Sequence, residues 1–220
     1  INKEQDDVFK MLKSNSNLFI TFGTSKLYIH KENNQVVANC HKYMNTIFNT
    51  RRATVDEVVD PWRSVIKKIN NPVIFTVSPV RHVREGLVEN NLNKSVLLLA
   101  IDQLCKEFPE KVSYFPSYEI LIDELRDYRF YSKDWVHPSQ EAKEFIWNKL
   151  SNIIFSEKTK KLNIEIYKIR SSLAHQPKFG INTEYLSFLN KILQKIKKIK
   201  SNTPNYLWKD EENTINEIIN

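Results

Sequence analysis

Apolar residues along the chain recur at two periods. Leu18 to Phe22 is a short run of apolar and β-forming residues that stops at Gly23, and it predicts a buried strand. Val73 to Val77 is the clearest strand, five apolar or β-branched residues bounded by Asn71-Pro72 and Ser78-Pro79. Such a run suits a strand covered on both faces, as in a parallel sheet. Val36 to Ala38, after an Asn33-Asn34 turn, and Val112 to Phe115 predict two shorter strands. Helical spacing governs the segments between. Lys3 to Lys13 has a loose apolar face of Val8, Phe9, Met11 and Leu12. Thr54 with Glu57 three residues on is a capping box that opens a helix toward Asn70, and Pro61 inside it predicts a kink or restart. Asn93 to Phe108 places Leu97, Leu98, Ile101, Leu104 and Cys105 on one stripe. Strand, helix, strand at this spacing is a parallel βαβ unit.

Beyond Leu125 the pattern becomes polar and aromatic from Arg126 to His137. A helix follows, with Pro138 in its first turn and its end near Leu150. Two more helices carry Leu162, Ile166, Ile169 and Leu173, then Leu186, Leu189, Leu193 and Ile196. His175 to Gly180 separates them, so they read as an antiparallel pair. The chain from about Ser201 is expected to fray, with Trp208 as a possible anchor. Residues 1–152 thus form an α/β domain, 153–200 a helical appendage and 201–220 a tail.

Composition narrows the class. With 41% hydrophobic and 27% charged residues in 220, the chain is not disordered wholesale. Three glycines and two cysteines exclude collagen and a disulfide-built miniprotein. No apolar run approaches the roughly 20 residues a membrane-spanning helix needs. Cys40 and Cys105 have no partners at metal-site spacing, and free thiols in a reducing cytoplasm are the default. The net charge of +7 is unevenly spread: Ser151 to Lys200 holds 11 Lys/Arg against 3 Asp/Glu, or +8, so the remainder sums to about −1. A basic patch of this kind suits a polyanion, and it equally suits a solvated helix face in a lysine-rich proteome.

Ligands of α/β sheets gather at the carboxyl ends of the strands. The residues after the predicted strands are Gly23-Thr24-Ser25, Asn39-Cys40-His41 and Ser78 to His82, and Asp134 to His137 precedes the next helix. Polar and reactive groups recur there. Asp134 and His137, three apart in a turn, are spaced for a carboxylate to hold an imidazole and favour its protonated form, the base half of a serine hydrolase triad. A helix-capping Asp beside an ordinary His is the plainer alternative. Gly23 and Asn39 are candidate oxyanion donors, and both residue types are common turn formers. Cys40 and His41 are adjacent, so in extended chain they point to opposite faces and do not pair as nucleophile and base. Arg81, His82 and Arg84 form a cationic cluster for a substrate carboxylate or phosphate, or a salt-bridged loop. Trp135 is a substrate wall or core. Arg126, Asp127 and Arg129 read equally as an internal ion-pair knot.

Longer phrases carry a family likeness. VANCHK (Val37 to Lys42), FTVSPVRH (Phe75 to His82), GLVENNLNKS (Gly86 to Ser95), YFPSYEI (Tyr114 to Ile120), DELRDYRFY (Asp123 to Tyr131) and DWVHPS (Asp134 to Ser139) resemble the GSCFA family. The likeness runs from about Leu18 to His175. That family is grouped with the SGNH, or GDSL-like, hydrolases. The resemblance implies a flavodoxin-like α/β/α sandwich with a parallel sheet, and ester cleavage by a Ser-His-Asp mechanism without a cofactor or metal. DWVHPS matches the block that supplies the catalytic His and its Asp, which carries over to His137 and Asp134. The implied substrate is a small-molecule or glycan acyl ester, with Ser25, His41, Arg81 and His82 as candidate contacts, and no specific nucleic-acid partner.

Two departures follow. The Gly-Ser-Cys-Phe-Ala motif that names the family, and resembles the nucleophile block, is not in this sequence. LFITFGTS resembles the Gly-x-Asn-Asp block, but Ser25 stands where the oxyanion Asn belongs, leaving Asn39 or Ser25 for that role. Ser25 is also a candidate replacement nucleophile. The chain reads as the later portion of such a hydrolase, or as a member that has lost catalysis. The missing first strand is expected to be central, leaving the Leu18 and Val73 strands without neighbours. A binding or scaffold protein is the rival, acting through Lys191, Lys195, Lys197, Lys198 and Lys200.

Overall fold

The computed structural model describes residues 12, 16–37, 43–174, 180–201 and 208–219. Two compact units divide the chain, Ile1–Leu150 and Ser151–Asn220. The first is α/β. Its strands are β1 (Leu18–Phe22), β2 (Lys26–His30), β3 (Val36–Val37), β4 (Phe48–Arg52), β5 (Val73–Val77) and β6 (Val112–Tyr114). Its helices are α1 (Val55–Lys68) and α2 (Leu87–Glu107), with α3 (Gln140–Ile154) at its end. A parallel sheet runs β1-β5-β6, in register Leu18↔Val73 and Val73↔Val112. The strands at Leu18 and Val73 therefore pair with each other, contrary to the expectation that both would want neighbours. Their matched runs, Leu18 to Phe22 against Val73 to Val77, align residue for residue without an intervening strand.

Alternation along β5 sets the layers. Val73, Phe75 and Val77 are fully buried and face α1 and α2, which pack on each other through Val59, Ile66, Leu97, Ala100, Ile101 and Leu104. Thr76 points to the opposite face, where its hydroxyl meets Ser117 Oγ at 2.5 Å. The helical stretch from Ser117 to Leu125 lies there, completing an α/β/α arrangement. Phe22, Trp62 and Phe75 lock β1 and β5 to α1, with ring centroids 5.0–5.8 Å apart.

Several local expectations change. The Val36 strand belongs to a separate antiparallel sheet, β3-β2-β4, and not to the parallel one. Lys26 to His30 carries charged and apolar residues alike, so its strand was not visible as an apolar run. Asn34 in the β2–β3 turn takes a left-handed φ of 54°, as an Asn readily does. Helix α1 passes through Pro61 without a restart. Pro61 and Glu57, whose carbonyl loses its partner, both face water, and the capping box of Thr54 and Glu57 fixes the start. Helix α2 begins six residues earlier than Asn93, at Leu87 after Gly86, whose φ of 91° suits glycine. Helix α3 starts at Gln140, so Pro138 precedes it rather than lying in its first turn, and Ser139 caps it, its hydroxyl accepting from Ala142 N–H at 3.3 Å. Of the N-terminal helix expected over Lys3 to Lys13, only Leu12 lies among the described residues, and it is helical.

The second unit comprises α4 (Glu157–Ala174), α5 (Thr183–Lys200) and α6 (Lys209–Ile219). Ile169 from α4 joins Leu189, Ile192, Ile196 and Ile199 from α5 in one core. The segment expected to fray instead carries α6, which brings Ile215 and the adjoining Trp208, 1% exposed, into that core. Arg170 pairs with the buried Glu211 at 2.6 Å. No helix among the described residues is long and apolar enough to cross a membrane.

Trp208 is the largest fully buried side chain. Trp208→Ala is expected to cost about 3–5 kcal/mol of stability, since the lost contacts leave a cavity. Urea denaturation monitored by circular dichroism measures it.

Candidate functional site

The segment from Phe130 to Ser139 folds back on itself. Ser132 N–H donates to His137 O at 2.7 Å, Ser132 Oγ donates to Pro138 O at 3.1 Å, and Ser139 N–H donates to Phe130 O at 2.8 Å. Within this closed loop Asp134 organises the turn. Its Oδ1 accepts from Val136 N–H at 2.9 Å and His137 N–H at 3.0 Å. Its Oδ2 lies 2.6 Å from His137 Nδ1. Trp135 pays for the tight geometry with a left-handed φ of 61°. Both partners are about half exposed, so solvent and ligands reach them. The backbone N–H groups of His137 and Val136, then the His137 ring, hold the Asp134 carboxyl well below the ordinary carboxylate range. An ionised Oδ2 beside Nδ1 favours the tautomer with its proton there, leaving the lone pair on Nε2.

Two hydrogen bonds tie this turn to the carboxyl end of β5. Arg81 N–H donates to Val136 O at 3.2 Å, and Arg81 Nη1 donates to Trp135 O at 3.3 Å. The next residue, His82, stands beside the end of β1: its Nε2 would lie 3.6 Å from a Cβ placed on Gly23. Gly23, Arg81, His82, Asp134 and His137 thus gather at one edge of the parallel sheet. Partial loss of water around the ring, and then the nearby Lys94 ammonium, lower the His82 imidazole from its ordinary value.

Other candidates fall elsewhere. Ser25 is 3% exposed and donates its hydroxyl to Asn93 Oδ1 at 2.8 Å, a structural bond that keeps it from a ligand or from acting as a nucleophile in this conformation. Asn39, Cys40 and His41 lie outside the described residues. Their inferred place at the parallel sheet's edge does not follow, because the strand before them belongs to the other sheet. Arg81 sits over a tyrosine ring, its Cζ 3.9 Å from the Tyr131 centroid, and forms no salt bridge among the described residues. Arg129 meets Asp127 at 3.9 Å, and Arg126 has no ion pair in that group. Trp135 is a surface ring, not core. No group of three His, Cys, Asp or Glu side chains among the described residues is placed to hold a metal ion.

Three residues of this edge escape a reading by chemistry alone. Asn90, Asn93 and Lys94 are buried on the first turns of α2. Asn90 Oδ1 accepts from His82 N–H at 2.8 Å, and Asn93 Oδ1 holds Ser25. Lys94, 1% exposed, donates from Nζ to Gly23 O at 2.5 Å and Ser78 O at 2.7 Å. One ammonium therefore joins the loops that follow β1 and β5. The signal was present: positions 90, 93, 94, 97, 101 and 104 form a single stripe at helical spacing, and its first half is polar.

Family models match two parts of the chain. The GSCFA family matches residues 1–150, and the GSCFA domain protein, C-terminal domain, matches residues 166–220. No curated protein and no solved structure matches.

Burial lowers the Lys94 amine from 10.5 to about 8. The unfolded chain thus holds this proton more tightly between those two values, so stability rises with pH across that window and this group adds no slope below it. Chemical denaturation at pH 7, 8, 9 and 10 should show that rise in the parent, and Lys94→Met should lack it. The variant should also lose about 1–3 kcal/mol at pH 7, because two buried carbonyls lose their donor.

Proposed function

Because the chain belongs to the GSCFA family, we propose that it serves ester hydrolysis of the SGNH type and carries the acid–base half of a Ser-His-Asp mechanism. The observation behind this reading is the 2.6 Å contact of Asp134 Oδ2 with His137 Nδ1 at the carboxyl end of β5. His137 Nε2 takes the proton of an attacking serine hydroxyl as its oxygen bonds to the ester carbonyl carbon. Asp134 holds the ring and stabilises the imidazolium. As the tetrahedral intermediate collapses, the same proton passes to the departing alcohol. Water then repeats the cycle on the acyl-enzyme and releases the acid. Gly23 serves the oxyanion, and Arg81 and His82 contact substrate. Among the described residues no serine hydroxyl is hydrogen-bonded to His137, so the attacking oxygen is assigned to none of them. The substrate is a small-molecule or glycan acyl ester, and the setting a reducing cytoplasm.

The test uses the gene product with every residue its reading frame encodes, assayed with a chromogenic acetate ester. His137→Ala should lower kcat/KM by about 10²–10⁴-fold, and Asp134→Asn should act in the same direction. Asp134 stays ionised across the working range, so an acid limb in the rate profile must survive as another group's titration. Equal rates for parent and His137→Ala would remove this mechanism.

A second reading, binding through the basic helices without catalysis, has one observation in its favour. A cleft of about 620 Å³ in the C-terminal unit is lined by Lys158 and Lys161 of α4 and Lys195 and Lys198 of α5, with Glu165 as its acidic residue. Like charges three apart on a helix repel unless something answers them. Under this reading the chain retains a single-stranded oligonucleotide or anionic vesicles at low salt and releases them steeply as salt rises. Absence of retention at low salt ends it.

A further inference from the structure

The loop that positions His137 has an aromatic and cationic flank. The Arg81 guanidinium sits over two tyrosine rings, its Cζ 3.9 Å from the Tyr131 centroid and 5.5 Å from that of Tyr128. The Tyr128 and Trp135 rings meet at a tilt of 46° with centroids 4.9 Å apart, and both are well exposed, at 62% and 59%. Arg81, Arg126, Asp127, Tyr128 and Tyr131 line a cavity of about 190 Å³. Arg126 reaches it because the helical stretch ending at Leu125 closes with an i→i−5 bond, Arg126 N–H to Leu121 O at 3.1 Å. That closure sets Arg126 at a left-handed φ of 46°, a conformation disfavoured for arginine. Strain of this kind, here and at Trp135, is more often kept at a ligand site than elsewhere.

The charges in this cavity do not answer one another. Neither Arg81 nor Arg126 forms an ion pair among the described residues. The one carboxylate of the lining, Asp127, is turned to Arg129: its Oδ1 accepts from Arg129 N–H at 2.9 Å and its Oδ2 lies 3.9 Å from Arg129 Nε. A guanidinium over a ring face is held there by the ring's quadrupole while its N–H donors stay available at its edge. Arg81 uses one of them on Trp135 O. The others, with those of Arg126, suit the paired oxygens of a carboxylate or phosphate.

We propose that this cavity binds the oxyanion of an anionic ligand, a carboxylate or a phosphate, so that the ester processed beside His137 is a negatively charged one. The identity of the ligand as substrate rests on the esterase reading; the binding does not.

The test is calorimetric titration of the full chain at low ionic strength with inorganic phosphate, glucuronate and neutral glucose. Saturable binding of at least one anion without glucose binding is expected, and the stronger of the two assigns a phosphate or a carboxylate ligand. Arg126→Asn, which keeps a residue tolerant of left-handed backbone, should weaken that binding at least tenfold. Arg81→Gln should do likewise, while Lys68→Gln, at the exposed end of α1 and off the cavity, should bind as the parent does. Failure of both anions to bind, equal binding of glucose, or parent-like binding by a folded Arg126→Asn overturns the proposal. Anion binding that persists alongside an activity indifferent to His137→Ala keeps the cavity and removes the esterase reading.

Discussion

A single buried ammonium holds the working edge of the sheet together. Lys94 gives up bulk water to bond two carbonyls, Gly23 O after β1 and Ser78 O after β5. Burying a charge is costly unless hydrogen bonds replace its hydration, and here two backbone dipoles do so. The consequence is positional. Parallel strands leave their terminal loops free to diverge, and the Lys94 bridge keeps these two together. His82 then lies against Gly23, and Arg81 is placed to fasten the turn that carries Asp134 and His137.

That turn depends on a second constraint. Asp134 is committed three times, to two backbone N–H groups and one imidazole nitrogen. The backbone bonds fix the carboxylate before the ring meets it, so the ring's orientation is inherited from the loop. A left-handed Trp135 is the conformational cost. Its exposed ring then packs at a tilt against Tyr128, which in turn neighbours Arg81. Base, aromatic flank and cation are consequently parts of one folded segment, not separate features that happen to be near one another.

The C-terminal unit follows a different logic. Its core is aliphatic and closed by Trp208 and Ile215, with its lysines left to the surface. Lys200 meets Glu212 at 2.9 Å, whereas the four lysines of the α4–α5 cleft share its lining with one carboxylate, Glu165. The helical period alone explains the buried positions, while the charge pattern is a property of the cleft.

The sequence by itself determined the parts that local chemistry dictates. The apolar run of Val73 to Val77 could only be a covered strand, Thr54 and Glu57 could cap a helix without outside help, and three residues suffice to bring Asp134 to His137. Such features were legible because their partners are close along the chain. Tertiary structure decided whatever depends on distant partners. Which sheet Val36 and Val37 joined was set by their pairing with Ile29 and Tyr28, and Ser25 was withdrawn from the site by a bond to Asn93, 68 residues away. Lys94 carries no assigned role in the sequence. The helical stripe places it on the inner face of α2, but only the packing of α2 against two strand ends shows which carbonyls it joins, because a partner 71 residues away leaves no mark in that spacing.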